Sequence, residues 1–232
     1  MLEQKELKLA ALVNNAGIMI FGEFEWQTED QVRHQVEVNL LGTMRITRQL
    51  MPLIRKDSSR IVVVSSHCAS ESLPGVAAYS ATKAAINAWS TGIRAELQKY
   101  GIDVVPFVPG SFTRDSNIFA RQSRHFESMK AAMSAEAKNF YGDYFDRYAN
   151  YFAPLAQKIT PKAVENPEIY EKFAGALLDR YPSAIYKCEP WRYSFYYTLF
   201  KITPYYVRDR LAVRFVKLPG WQKKIVDKTS SA

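Results

Sequence analysis

Three short, predominantly apolar runs organise the first half of the chain. They occupy residues 9–13, 61–64 and 102–108, and the first two are continuous rather than alternating. Continuous runs of this kind are typical of strands that are buried on both faces of a parallel sheet. The runs are followed by small or turn-forming residues, "NNAG", "SS" and "PGS". The pattern therefore predicts three parallel strands with loops at their carboxyl ends.

The segments between these runs have the spacing of helices. Thr28 and the two acidic residues after it predict a helix start, because a threonine caps free N–H groups and acidic residues favour the amino end of the helix dipole. Apolar and threonine positions then recur every three or four residues as far as Ile54. A second helix is predicted from near Tyr79 to Tyr100, ending at Gly101. Alternating strands and helices predict an α/β fold, a doubly wound parallel sheet covered by helices on both faces.

The second half of the chain follows a different pattern. Residues 115–152 are rich in aromatic side chains and are predicted to be mostly helical, residues 168–180 predict a further helix, and residues 183–187 predict a last strand. In the final part of the chain, aromatic residues are interspersed with lysine and arginine. We therefore distinguish a main domain at 1–190 from an aromatic and basic extension at 191–232.

Positive charge is concentrated in that extension. With eight Lys and Arg against two Asp, residues 201–232 contribute +6 of the net charge of +8 that the 232 residues carry. A tail of this composition favours an anionic neighbour. Nothing resembles a groove-reading helix or a known nucleic-acid module, so we expect no nucleic-acid partner.

Composition excludes several classes of protein. The two cysteines, Cys68 and Cys188, cannot form a disulfide framework, and together with the three histidines they show no metal-ligand spacing, so no metal site is expected. No run of 18 or more apolar residues is present, and "MLEQKELKLA" lacks the layout of a signal peptide.

Candidate chemistry lies after the second predicted strand. Tyr79 and Lys83 are one helical turn apart, and Ser66 stands at the carboxyl end of the strand, where ligands bind in parallel sheets. An ammonium beside a tyrosine favours the phenolate, so we expect Lys83 to lower the pKa of Tyr79. A solvated Tyr–Lys pair is the alternative for this spacing alone. Ser65 should point to the other side of the strand, and His67 and Cys68 are expected to serve loop packing.

Five features in this order resemble the short-chain dehydrogenase/reductase family. They are "NNAG" after the first strand, an asparagine inside a helix (Asn39 in "VNLLG"), a strand-end serine, a YxxxK pair and a "PG" turn. The resemblance covers about residues 7–111, and it is closest to the branch of retinol, 17β-hydroxysteroid and 3-hydroxybutyrate dehydrogenases. It implies a Rossmann-like dinucleotide-binding domain with NAD or NADP as cofactor.

The resemblance also implies a role for each matching residue. Tyr79 would be the general acid/base, Ser66 would donate a hydrogen bond to the substrate oxygen, Lys83 would lower the phenol pKa and bind the nicotinamide ribose, and Asn39 would position a water that links Lys83 to solvent. The cofactor would be bordered by Asn15, Ala16, Gly17, Pro109 and Gly110. The family's threonine lies one residue further from the turn than Thr113 does, so we assign Thr113 no role.

One family feature is missing from the sequence. There is no TGxxxGxG turn, which in the family holds the cofactor pyrophosphate, and no strand end that selects NAD or NADP. We therefore expect an N-terminally truncated member that lacks the first strands and helices of the fold. Such a chain is expected to bind dinucleotide weakly and to expose an apolar strand edge that favours dimerisation.

The implied substrate is a small lipophilic alcohol or carbonyl compound, retinoid-like or steroid-like, with 115–152 as the substrate lid. The extension has two interpretations, a peripheral contact with an anionic membrane surface or a cap over the substrate cleft. The first interpretation places the protein on an intracellular membrane, of the endoplasmic reticulum or the mitochondrion, and otherwise in the cytoplasm. The alternative function is a catalytically weak remnant that acts as a binding, dimerising or membrane-surface protein.

Overall fold

Four parallel strands form one sheet in the computed structural model, which describes residues 7–110, 116–156, 164 and 166–222. The strands lie in the order of the chain and are β1 (Ala11–Asn14), β2 (Arg60–Val64), β3 (Val104–Val108) and β4 (Tyr186–Lys187). In the pairing register, Val62 lies between Val13 of β1 and Val105 of β3. The predicted parallel α/β sheet is confirmed, although β1 begins two residues later than the sequence indicated and β4 is only two residues long.

A nearly continuous helical segment joins β1 to β2. It consists of α1 (Glu29–Val36), a π-helical turn (Glu37–Gly42) and α2 (Thr43–Asp57). Thr28 caps it as predicted: its side chain accepts a hydrogen bond from the Gln31 backbone N–H, 3.2 Å away, and the Gln31 side-chain oxygen accepts one from the Thr28 backbone N–H, 3.1 Å away. The π-helical turn was not predicted, because it breaks the period of the helix over a single turn only.

Helix α3 (Ala77–Leu97) joins β2 to β3 and continues in a 3₁₀ turn that ends at Gly101. The predicted boundaries are therefore right to within two residues. Gly101 adopts a φ of 71°, in the left-handed region that glycine reaches at no steric cost, which ends the helix.

Helices cover both faces of the sheet. On one face, β2 residues Ile61 and Val63 pack with α2 and α3, and on the other face Val62 packs with α7 (Pro167–Leu178). The alternation follows from the strand pleat, which sends successive side chains to opposite faces. This arrangement is the doubly wound fold class that the sequence predicted.

Three helices form a separate aromatic layer beside the sheet. They are α4 (Gln122–Ala132), α5 (Ala135–Tyr141) and α6 (Tyr144–Phe152), so the helical prediction for this segment is confirmed in its described part. Their core is built around Trp26, whose ring lies 5.0 Å from those of Phe145 and Tyr148. The same cluster includes Tyr79 of α3. The layer therefore packs against the helix that carries the candidate catalytic tyrosine.

The aromatic and basic extension folds into two helices, α8 (Trp191–Ile202) and α9 (Tyr205–Val216). Tyr197, Phe200, Ala212 and Phe215 form a small core between them. An ion pair of 3.3 Å between Arg208 and Glu71 ties α9 to the loop that precedes α3. None of the helices in the described part of the chain is both long and apolar enough to span a bilayer.

Candidate active site

Ser66 is held at the carboxyl end of β2 by a local backbone contact. Its Oγ accepts a hydrogen bond of 3.2 Å from the backbone N–H of Cys68, because Ser66 caps the 3₁₀ turn His67–Ala69. This contact uses a lone pair of the hydroxyl and leaves its proton to be donated elsewhere. Ser66 and Tyr79 line the same cavity, and the interaction of the Ser66 hydroxyl with the phenol favours the phenolate. The hydroxyl of Ser65 instead donates to Oδ1 of Asn87, 2.6 Å away, and so takes no part in this pair.

Tyr79 and Lys83 share the buried face of α3, with exposures of 6% and 5%. The amine of Lys83 donates a hydrogen bond of 2.9 Å to the carbonyl of Val64, the last residue of β2. Its Nζ lies 5.9 Å from the centre of the Tyr79 ring. The solvated-pair alternative is wrong, since both side chains are buried between the helix and the strand end.

Burial controls the ionisation of both groups. It raises the pKa of Tyr79 above its ordinary value, and the hydrogen bond with Ser66 offsets only part of this effect. The sequence argument predicted the opposite direction and is corrected here, because desolvation penalises the phenolate more than its neighbours stabilise it. Burial likewise lowers the pKa of Lys83 to about 8.

Asn39 lies in the π-helical turn and is 1% exposed. Its side-chain amide forms two hydrogen bonds with the backbone of Ile18, accepting from N at 2.8 Å and donating to O at 2.9 Å. It also donates to Thr82 Oγ1, 3.0 Å away, which in turn donates to the carbonyl of Tyr79, 2.7 Å away. Asn39 therefore connects the loop after β1 to the turn of α3 that carries Tyr79.

Thr82 was missed at the sequence level. Its position directly before Lys83 in "YSATK" was the only available signal, and a threonine in a helix more often bonds to its own backbone. The contact with Asn39 depends on how the π-helical turn and α3 lie together, which no local pattern encodes.

A cavity of about 500 Å³ opens at the carboxyl ends of the strands. The triad of Ser66, Tyr79 and Lys83 lines it, and four of the predicted cofactor neighbours line it as well: Asn15, Gly17, Pro109 and Gly110. Ala16 and Asn39 are not among the lining residues; Asn39 contacts the site from behind, through Ile18 and Thr82. Thr113 lies outside the described residues.

Two glycines bring backbone close to the site. A side chain at Gly17 would place its first carbon 3.5 Å from Nζ of Lys83 and 3.6 Å from Oδ1 of Asn39. Gly110 has a φ of 86°, and an added Cβ would lie 3.0 Å from the carbonyl oxygen of Cys188. Residues other than glycine therefore disfavour this position, both for its backbone conformation and because their Cβ would lie too close to the Cys188 oxygen.

Most of the rest of the cavity wall is apolar and aromatic, and Ser65, Ser116 and Asn117 are its further polar residues. Its apolar side chains include Met19, Phe21, Val64, Leu73, Val76, Phe107, Ile118 and Phe173. Two residues of the extension, Tyr193 and Tyr197, also line it, so the interpretation of the extension as a cap over the cleft is confirmed for these two rings. His67 and Cys68 pack in the loop as expected, and in addition both line the cavity.

Burial keeps His67 and Cys68 in their uncharged forms. It lowers the pKa of His67, whose Nε2 lies 3.3 Å from the Cys188 carbonyl, and it raises the pKa of the Cys68 thiol. Both cysteines are free, and no cluster of three or more potential ligands suited to a metal ion occurs in the described ranges.

Comparison with known proteins agrees with this geometry. The family model "short chain dehydrogenase" matches residues 2–125. Mouse retinol dehydrogenase 7 is 34% identical over 141 residues, covering 60% of this chain and 44% of that protein. The 3beta-hydroxysteroid dehydrogenase dhs-16 of Caenorhabditis elegans is 30% identical over 224 residues, covering 94% of this chain and 56% of that protein.

A third relative is mouse mitochondrial D-beta-hydroxybutyrate dehydrogenase, 35% identical over 119 residues that cover 51% of this chain and 35% of that protein. The chain thus spans about half the length, or less, of the relatives it matches. Because the family model covers more than half of the chain, the chain belongs to the short-chain dehydrogenase family.

Proposed function

We propose that this chain forms the catalytic part of an NAD(P)-dependent oxidoreductase that interconverts a lipophilic alcohol and the corresponding carbonyl compound. One observation carries the proposal. The Ser66 hydroxyl and the Tyr79 phenol line one cavity, and the buried amine of Lys83 lies one helical turn beyond Tyr79 on the same helix and lines the same cavity.

In this proposal the two hydroxyl groups share the substrate oxygen. Tyr79 donates a proton to that oxygen when a carbonyl is reduced and removes it when an alcohol is oxidised. Ser66 donates a hydrogen bond to the same oxygen, because its Oγ accepts from the Cys68 N–H and its proton is still available for donation. Because burial raises the pKa of Tyr79, the phenol is protonated at neutral pH, which is the form required for carbonyl reduction.

The residues around Lys83 fit a nicotinamide cofactor. Gly17, Pro109 and Gly110 present backbone and small side chains to the cavity beside Lys83. When bound, the nicotinamide would supply or accept the hydride. In the proposal Lys83 donates to the ribose hydroxyls, Asn15 and Gly17 border the ribose, Ala16 adjoins them, and Pro109 and Gly110 lie against the nicotinamide. Asn39 would hold the water that links Lys83 to solvent.

The phosphate end of the cofactor has no matching segment in this sequence, because a TGxxxGxG turn is absent. Backbone N–H groups of that turn provide most of the contacts to pyrophosphate. We therefore expect this polypeptide alone to bind NAD(H) or NADP(H) weakly and to turn over slowly. The alternative function, a weak or silent binding or dimerising protein, rests on the same absence. Calorimetric titration that gives micromolar affinity for either dinucleotide would contradict the expected weak binding and the alternative function.

The cavity wall supports a lipophilic substrate. Eight aliphatic or phenylalanine side chains and the rings of Tyr193 and Tyr197 line the cavity that contains Ser66 and Tyr79. Two of the relatives are named for retinol and for 3β-hydroxysteroids. We propose that this chain acts on a substrate of the same kind, with the helical layer α4–α6 as the lid of the site.

The outer face of the extension supports contact with a membrane surface. Trp191 is 80% exposed, Tyr205 75% and Tyr206 65%, and the cations of Arg208 and Arg210 lie 4.3 and 4.1 Å from the centres of the rings of Tyr205 and Tyr206. Exposed aromatic and cationic side chains together favour the interface of a bilayer with anionic lipid. We propose a peripheral association with an intracellular membrane, of the endoplasmic reticulum or the mitochondrion.

The catalytic proposal is tested in a fusion that adds a phosphate-binding half to this chain. A standard βαβαβ dinucleotide-binding half is fused to the amino end of this chain, and oxidation of retinol and of a hydroxysteroid is followed by NADH or NADPH formation. Tyr79→Phe should lower kcat at least about 100-fold, the range of general acid/base catalysis. Tyr100→Phe, at an exposed tyrosine of the same segment, is the matched control. An unchanged rate for Tyr79→Phe would show that the phenol transfers no proton.

A further inference from the structure

Tyr193 and Tyr197 form an aromatic wall of the cavity that no motif marks. They lie one turn apart on α8, and their rings are nearly parallel, 11° apart, with centres 6.0 Å from each other. The ring of His67, the residue after Ser66, lies 5.2 Å from both. The wall therefore adjoins the hydroxyl pair at which the proposed reaction takes place.

The wall is fixed in place by the rest of the extension. Tyr197 is 5% exposed, and the ring of Tyr193 meets that of Phe215 on α9 edge to face, 5.2 Å away. Arg192 stacks on Phe215 at 4.6 Å and donates a hydrogen bond of 2.7 Å to its carbonyl. An aromatic surface held this firmly loses little conformational entropy when a ligand packs against it.

The same cavity offers little to a charged substrate. Among its described lining residues the only lysine or arginine is Lys83, which already donates to the Val64 carbonyl. Nε2 of His67 lies 3.3 Å from the Cys188 carbonyl oxygen, and Nδ1 lies 3.7 Å from the Glu189 carboxylate. Both ring nitrogens therefore already have a polar neighbour. A carboxylate placed here would lose its hydration and, among the described lining residues, would meet no Lys or Arg other than the buried Lys83.

We propose that Tyr193 and Tyr197 determine substrate specificity: their rings pack against the flat ring system or conjugated chain of the substrate, and the cavity favours such lipophiles over short hydroxy acids. This inference rests on the proposed function and names the residues that select its substrate. It assigns to the extension a role in the site itself, in addition to the membrane contact of its outer face.

The test is equilibrium dialysis of the full chain with tritiated estradiol as the flat lipophilic probe and with labelled 3-hydroxybutyrate as the hydroxy-acid probe. We expect estradiol to bind and 3-hydroxybutyrate to bind at least about 100-fold more weakly. Tyr193→Ala and Tyr197→Ala should each weaken estradiol binding about 5- to 10-fold, the range for loss of one aromatic contact. Phe195→Ala, on the same helix and 54% exposed, is the control and should leave the affinity unchanged.

Conservative variants separate the contact from a folding defect. Tyr193→Phe and Tyr197→Phe keep the rings and should keep the affinity within about twofold, and thermal melting shows which variants are folded. Equal affinity of folded Tyr193→Ala, folded Tyr197→Ala and Phe195→Ala for estradiol would overturn the proposal, as would binding of 3-hydroxybutyrate as tight as that of estradiol. Estradiol binding needs no hydride transfer, so it distinguishes failure of this inference from failure of the catalytic proposal, which the Tyr79→Phe fusion reports.

Discussion

The side-chain amide of Asn39 forms a two-point contact with the backbone of Ile18, with hydrogen bonds of 2.8 and 2.9 Å. This contact holds the loop after β1 against the π-helical turn, and through Thr82 it continues to the carbonyl of Tyr79. The candidate catalytic tyrosine is thus tied to a loop that precedes it by some sixty residues in the chain.

Asn39→Ala should destabilise the fold by about 1–3 kcal/mol, because it leaves the Ile18 N–H and C=O without these partners in a half-buried position. Urea unfolding followed by circular dichroism measures the change. Glu37→Ala, in the same π-helical turn, removes only a partly exposed ion pair with Arg45 and should cost less than about 1 kcal/mol. Equal losses for the two variants would show that the amide contact contributes nothing specific.

Lys83 should make stability depend on pH in the alkaline range. Burial lowers its pKa from 10.5 in the unfolded chain to about 8 in the folded chain. Between these values the unfolded chain binds the proton and the folded chain does not, so the free energy of unfolding contributed by this group rises as pH increases from 8. Below pH 8 the buried charge destabilises the fold.

The measurement compares wild type with Lys83→Met. The stability advantage of Lys83→Met should shrink by about 2 kcal/mol as pH rises from 8 to 10, as unfolding in urea at each pH would show. Lys99→Met, at an exposed lysine, should show no such change. A constant difference between wild type and Lys83→Met across this range would mean that the amine is not desolvated.

Gly110 should not tolerate a side chain. Its φ of 86° and the 3.0 Å approach of an added Cβ to the Cys188 carbonyl predict that Gly110→Ala costs about 1–3 kcal/mol. Gly92→Ala is the opposite case, since Gly92 lies on the exposed side of α3 with no atom within 4 Å of an added Cβ. That variant should stabilise the protein by about 0.5–1 kcal/mol. Thermal melting of both variants tests whether Gly110→Ala lowers the melting temperature and Gly92→Ala raises it.

The outer face of the extension should bind anionic lipid. We expect the full chain to co-sediment with phosphatidylcholine vesicles that contain phosphatidylserine, and less with phosphatidylcholine alone or at high salt. The double variant Trp191→Ser, Tyr206→Ser should reduce binding several-fold. Tyr100→Ser, exposed but outside the extension, should not. Substitutions are preferable to deletion of 191–232, because deletion also removes the wall formed by Tyr193 and Tyr197. Vesicle binding that changes neither with lipid charge nor in the double variant would show that this surface does not contact the lipid.

Much of the fold followed from local pattern. Apolar runs, continuous for β1 and β2, identified β1, β2 and β3, because strands buried on both faces need apolar side chains in both directions. The cap at Thr28 and the glycine at 101 located helix ends, since capping is a contact between residues a few positions apart. The four-residue spacing of Tyr79 and Lys83 placed both on one face of a helix, and the strand end placed Ser66 beside them.

Other features depended on contacts between distant segments. Three features depend on which elements lie together and how deeply they are buried. They are the partner of Asn39, the position of Tyr193 and Tyr197 at the cavity, and the direction in which the pKa of Tyr79 shifts. A tyrosine four residues before a lysine is the same in any helix, whereas the free energy of its phenolate depends on the water excluded around it. Periodicity and spacing identified the candidate catalytic side chains, and packing set their ionisation and the shape of the space in front of them.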